Sequence, residues 1–334
     1  MKHLTTEKRQ TGMTLVEIMI AMLIGAFLIG GILQIFISSK QTYRMQEGLS
    51  RLQENGRFAM EFLTRDIRMA DYWGCLGSSV GNIDNNLKPD PDFDNLGNGI
   101  EAQNDDNGGN DGDADNDENG NSIWDGTDII TLRGISETGI FVTAIPATTA
   151  AALQVTASSG LVLGDILIVS DCTDGDIFQI SSNVSADTIT HNVVNIPGIP
   201  PNGNADTPFR KIYGLDAQLY RISATTYSIQ NGAGNQPSLF RDANELVEGI
   251  EDMQIFYGED TDADNTPDYY VTADNIADMD NVVSIRIGLL VASIDDNLTS
   301  QPITYTFNGV VTTPTDRKIR RVFTSTIGVR NRLQ

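Results

Sequence analysis

Histidine is almost missing: His3 and His191 are the only two in 334 residues. That excludes an activity built on a histidine cluster, either as proton shuttle or as transition-metal site. Cysteine is as sparse. Cys75 and Cys172 lie far apart and in no C-x-x-C pair, so a zinc site from these thiolates alone is excluded. If the bulk of the chain sits outside the cytoplasm, one disulfide is the expected use, with two buried free thiols as the alternative. Positive charge is short too: 22 Lys and Arg stand against 45 Asp and Glu, a net −23. Phosphate binding needs a basic face, so the balance argues against nucleic acid as the main partner. His191 in "TITHNVV" has no adjacent nucleophile motif, and the many acidic pairs lie in no recognisable catalytic context. No enzyme is expected.

What is present begins at the N-terminus. Residues 18–37 form an apolar run of 20 with one polar side chain, Gln34. As a helix this spans a bilayer, at about 1.5 Å per residue across about 30 Å. The flank before it carries Lys2, Lys8 and Arg9 against Glu7. This charge bias predicts a single-pass anchor with its C-terminal bulk facing outward. The run exceeds the apolar core of a secretory signal, and no small-x-small site follows it. Glu17 sits just inside the apolar stretch, where a charge costs about 2.5–3.5 kcal/mol unless paired. A cut between Gly12 and Met13 would create an amine four residues away. The amine of one copy could then pair with Glu17 of its neighbour and set their register.

The stretch "Gly12-Met13-Thr14-Leu15-Val16-Glu17" resembles the class III signal of type IV pilins and type II secretion pseudopilins. Met13 stands where that family usually has Phe. The resemblance implies cleavage after Gly12 by prepilin peptidase, N-methylation of Met13, and an assembly role for Glu17. Removing residues 1–12 takes away three basic residues and one acidic, leaving 19 against 44, or −25. Further on, "DYWGC", "LVEGIEDMQIFYG" and "RRVFTSTIGVRN" resemble the PilW-type minor pilins and, more weakly, the GspJ-type minor pseudopilins. The resemblance implies a low-abundance subunit acting with other minor pilins, the major pilin, a tip adhesin and the inner-membrane assembly platform. It implies that this subunit primes a filament and ends at the pilus tip on the cell surface, supporting adhesion or twitching motility. The alternative is a pseudopilin of a type II secretion system.

Downstream of the anchor, Met45, Leu49, Leu52, Ala59, Leu63, Ile67 and Ala70 recur at helical period, flanked by Phe58 and Phe62. One helix from about 14 to 70 is predicted: a membrane-spanning half over 13–37 and an amphipathic half over 38–73, supported by a Glu47–Arg51 pair. The small-residue pairs Ala21/Gly25 and Ala26/Gly30 permit close helix contact in lipid. Residues 74–334 break into short β-branched and aromatic runs separated by Gly, Asn, Asp and Pro. The predicted fold class is α+β, a pilin-like long helix packed on a mainly antiparallel sheet. "RDANELVEGIEDM" suits either a short helix or a strand pair. Residues 82–122 are expected to form a mobile acidic insertion.

Two acidic loops have calcium-ligand character. In "DTDADNTPD", Asp260, Asp262 and Asp264 alternate, Thr266 can offer its carbonyl, and Asp268 closes the set. Hard oxygen donors at this spacing suit Ca²⁺. The loop is similar to nine-residue calcium loops of extracellular β proteins, but Val271 stands where an EF-hand has its bidentate Glu. Asp111, Asp113, Asp115 and Asp117 form a possible second set, equally what a solvated acidic loop looks like. The C-terminal Arg317, Lys318, Arg320, Arg321, Arg330 and Arg332 form a basic strip, read first as internal pairing with the chain's own carboxylates, and otherwise as a docking strip for an acidic neighbour or for DNA in an uptake pilus.

Overall fold

The structure is a computed structural model that describes residues 13–77, 82–89, 93, 96–104, 126–156, 160–185, 187–193, 196–201, 203–205 and 208–333. One uninterrupted helix, α1 (Leu15–Met69), opens the described chain. At about 1.5 Å per residue it is roughly 80 Å long. Thr14 caps its start, and Ala70 leaves the helical conformation at its end. Asp71 then turns the chain with a left-handed backbone, φ 60°.

Among the described residues sixteen strands follow: β1 (Ile83–Asn85), β2 (Ile100–Gln103), β3 (Ile129–Ala144), β4 (Leu153–Val155), β5 (Ile166–Ser170), β6 (Gly175–Gln179), β7 (Thr188–Ile189), β8 (Gln218–Asn231), β9 (Pro237–Arg241), β10 (Asn244–Glu248), β11 (Ile250–Glu259), β12 (Tyr269–Val271), β13 (Val282–Ala292), β14 (Tyr305–Phe307), β15 (Val310–Thr312) and β16 (Arg320–Gly328). They make a ten-stranded sheet, a four-stranded sheet ordered β12-β11-β13-β16, and the β14–β15 hairpin. Among the described pairs, only β1–β6 is parallel; β3 lies antiparallel to β8, and β13 antiparallel to both β11 and β16. The α+β class with a long helix on a mainly antiparallel body is therefore what the chain adopts.

Each half of α1 follows from its composition. From Met13 to Ile37 the large apolar side chains are exposed, with none of the described residues of the body covering them. The second half buries Leu52, Ala59, Leu63 and Ile67 against alternate residues of the four-stranded sheet: Met253 and Ile255 of β11, Ile285, Ile287 and Leu289 of β13, and Ile327 of β16. Period 3.6 on the helix meets period 2 on the strands, and each fully buried Leu, Ile or Met side chain among these contributes about 1.5–3 kcal/mol. The helix touches the body most closely at two glycines. A Cβ on Gly56 would lie 2.4 Å from the Phe323 ring, and one on Gly48 2.5 Å from Leu298. Met45 and Phe58, counted in or beside the apolar stripe, are instead exposed.

Two smaller cores lie farther from the stalk. One gathers Leu153, Leu167, Phe178, Phe209, Tyr213 and Leu219. The other joins Trp73 and Leu76, just past the helix, to Ile135, Ile168, Ile177 and Tyr220.

The stretch 82–122, expected to be a mobile insertion, is built into the body in its described residues, which reach 104. β1 pairs with β6 and β2 with β3, and Leu87, Leu96 and Ile100 are buried. These apolar residues are spaced too widely among Asp, Asn and Gly to show a period, yet each seats on an existing sheet. Residues 105–122 lie outside the described ones. "RDANELVEGIEDM" takes the strand alternative: Asp242 (φ 54°) and Gly249 (φ 80°) turn the chain between β9, β10 and β11.

Candidate functional site

The first candidate centre is the start of α1. The Thr14 N–H and hydroxyl both donate to Glu17 Oε2, at 2.9 and 3.0 Å, and the Glu17 N–H donates to Thr14 Oγ1 at 3.3 Å. This reciprocal capping box satisfies donors that a helix start leaves open. Glu17 thus holds the first turn of its own helix, a role the sequence reading had not assigned. The T-x-x-E spacing was the available signal. An ionised carboxylate accepts at about four lone-pair positions, so capacity remains for a neighbour's amine. Met13, which would carry that amine, is exposed. Gly12 lies outside the described residues. Gly25, Gly30 and Gly31 have open space beside them.

The second centre is the joint between stalk and body. Asp71 is fully buried. Its Oδ1 accepts from Trp73 Nε1 at 2.6 Å and its Oδ2 from Arg332 Nε at 2.6 Å. Arg332 also donates to the carbonyls of Met279 and Val282. Asn331 Nδ2 donates to the Ala70 carbonyl at 2.8 Å, satisfying an acceptor the helix end leaves open. Gly99 is required here, because a Cβ on it would lie 2.0 Å from Asp71 Oδ1. Cys75 and Cys172 form a disulfide with Cα atoms 4.8 Å apart, tying the segment after the stalk to the end of β5. The joint is therefore stapled twice, by the C-terminal Asn331–Arg332 pair and by the disulfide.

That joint divides the basic strip. Arg332 and Arg320 turn inward. Arg320 reaches Glu251 at 2.6 Å and Asp316 at 2.7 Å, and holds the Asp316 carboxyl down at about 2. Arg317 and Lys318 bind neighbouring Asn297 and Gln236. Arg321 and Arg330 have no ion pair among the described residues.

The third centre is the 260–268 loop. Asp260, Asp262 and Asp268 each bring a carboxylate oxygen within 4.8 Å of the others. Asp260, at the end of β11, is buried and accepts the backbone N–H groups of Asp264 and Asn265, at 3.2 and 2.7 Å. Asp268 Oδ2 accepts the Thr261 N–H at 2.9 Å. Left-handed Ala263 (φ 60°) and Asn265 (φ 66°) coil the chain between them. Asp262 is raised above the ordinary carboxylate value, chiefly by the charge of Asp264, then by desolvation and by Asp268. Asp264 is not in the converging set; its Oδ1 instead caps the Thr266 N–H at 2.7 Å. The other acidic set, Asp111, Asp113, Asp115 and Asp117, lies outside the described residues.

Comparison with known proteins bears on the two ends of the chain. Residues 226–331 match the family model described as Type IV Pilus-assembly protein W, and residues 8–33 match the prokaryotic N-terminal methylation motif. No curated protein and no solved structure matches. The first match runs from within β8 past β16 and takes in the whole four-stranded sheet on which the stalk lies. The second covers the capping box and most of the exposed apolar half of α1.

Proposed function

We propose that this chain, whose two family matches support a type IV pilus minor pilin of the PilW type, helps to prime filament assembly and then sits in the tip complex. One observation carries the reading. A single continuous helix has one half docked on its own body and the other half apolar and uncovered, with no partner among the described residues. Such a surface is stable only in lipid or against other apolar helices. The exposed half first anchors the subunit in the inner membrane, after prepilin peptidase has cut between Gly12 and Met13 and Met13 has been N-methylated. It then packs against other minor pilins and the major pilin, with the Met13 amine of one subunit meeting Glu17 of the next. Small pairs such as Ala21/Gly25 set the close approach. The body, in the periplasm before assembly, faces a tip adhesin at the cell surface. The role is structural.

Deleting the gene tests this reading. Surface pili and twitching should be lost while enzyme secretion continues, and the parent sequence should restore both, but Glu17→Ala should not. Loss of secreted enzymes with pili intact would favour the type II secretion pseudopilin instead.

We also propose that the 260–268 loop binds Ca²⁺ through Asp260, Asp262 and Asp268. Binding at hundredfold excess over Kd would stabilise the fold by about 2.7 kcal/mol. Thermal unfolding with Ca²⁺ against Mg²⁺ checks it: a rise in Tm with Ca²⁺ only, abolished in Asp262→Asn, is the expected result.

A further inference from the structure

β16 closes the four-stranded sheet, and no strand pairs with its outer edge among the described residues. Over its nine residues, Arg320–Gly328, alternate backbone N–H and C=O groups on that side therefore lack a partner strand. Beside the edge runs a groove under the flank of α1. Its two stretches, ≈ 570 and ≈ 550 Å³, meet at Arg57 and Met60. Phe323 of β16 and Met60 and Met69 of α1 supply apolar lining. Its rim is basic: Arg57, Arg65, Arg68 and Arg330 stand against Glu54 and Glu61. Arg65 is paired with Asp66. Arg57, Arg68 and Arg330 have no carboxylate partner among the described residues, in a chain whose net charge is −23. Arg321, exposed, adds a further unpaired charge on the same strand face as Phe323.

We propose that this edge and groove form a docking site for an extended, carboxylate-rich segment of another subunit of the filament. The segment adds to β16 as an antiparallel strand. Main-chain hydrogen bonds to the open edge give it register, and carboxylates at alternate positions reach the unpaired arginines. A second copy of this chain pairing through the same edge would bring the two arginine sets together, and like charges oppose that. The site lies on the docked half of the helix whose other half is the assembly stalk, so both contacts belong to one surface. The identity of the source as a filament subunit rests on the reading as a minor pilin; the docking itself does not.

The test uses the full chain in detergent with an N-acetylated ten-residue peptide alternating Val and Glu. Amide hydrogen exchange is followed over residues 320–328. Exchange at alternate amides should slow as peptide is added, and the affinity should fall with salt. The double variant Arg57→Glu/Arg68→Glu, both at exposed positions, should weaken binding at least about tenfold. The proposal is overturned if millimolar peptide leaves exchange at 320–328 unchanged, or if a Lys-for-Glu peptide protects equally. It is also overturned if duplex DNA takes the arginines without protecting the edge, or if protection grows with the chain's own concentration. None of these results bears on cleavage at Gly12 or on pilus biogenesis, so failure here is distinguishable from failure of the minor-pilin reading.

Discussion

Asp71 holds three parts of the chain at one point: the end of the stalk, Trp73 and the C-terminal Arg332. Its replacement by Ala would leave the buried Arg332 guanidinium without its counter-charge. Loss of one partner of a buried pair costs about 3–5 kcal/mol, to be read as a lower urea midpoint. Gly56→Ala places a methyl against the Phe323 ring, and such overpacking costs about 1–3 kcal/mol. Asp252 makes a pH prediction. Burial, with the charge of Glu251 adding, pushes its carboxyl up to about 6, against about 3.9 in an unfolded chain. A raised folded value means tighter proton binding in the folded state. The associated stability is complete below about pH 4 and is lost as pH rises through 6. Asp252→Asn should remove that slope, so that urea unfolding finds it more stable than the parent near pH 8 by about 1–2 kcal/mol and no more stable near pH 4. At this scale the sequence was only partly legible. The T-x-x-E box was there to be seen, and so was the Cys pair. Gly48, Gly56 and Gly99 were not, because a glycine that makes room for a distant side chain carries no local signal. Arg332 looked like one of several surface cations until its partner, 261 residues away, was brought beside it.

At the scale of elements, α1 and the strands were the readable part. The helix spans Leu15–Met69 where periodicity indicated about 14 to 70, since a long apolar run followed by a stripe has no other regular solution. The β-branched and aromatic runs likewise fall on observed strands, though β3, at 16 residues, is longer than the short runs led one to expect. The described part of the expected insertion was misread, because β1 and β2 are short strands that pair with the longer-range partners β6 and β3. Register between such distant partners is a tertiary property. The two halves of α1 are energetically separate: residues 13–37 bury nothing against the body, while 52–67 form part of its core. A chain lacking residues 1–37 should therefore fold to the same body, with a Tm within about 2 °C of the full chain and no need of detergent. A markedly lower Tm would show that the exposed half supports the fold.

For the whole molecule, the division of labour follows from that separation. An acidic body is carried on a helix with one apolar half, the joint between them is fixed by the Arg332–Asp71 pair and the Cys75–Cys172 disulfide, and the helix begins within the match to the N-terminal methylation motif. The exposed apolar half calls for a hydrophobic surrounding, which the proposed function supplies first as membrane and then as neighbouring helices. Under the proposed function, the change from one to the other depends on an amine that exists only after cleavage. Mass spectrometry of the N-terminus of the protein recovered from cells tests this most directly. The account predicts a chain that starts at N-methylated Met13, with Glu17 in the fifth position; an unmodified Met1, or a cut beyond Ile37 that removes the apolar helix, would contradict it.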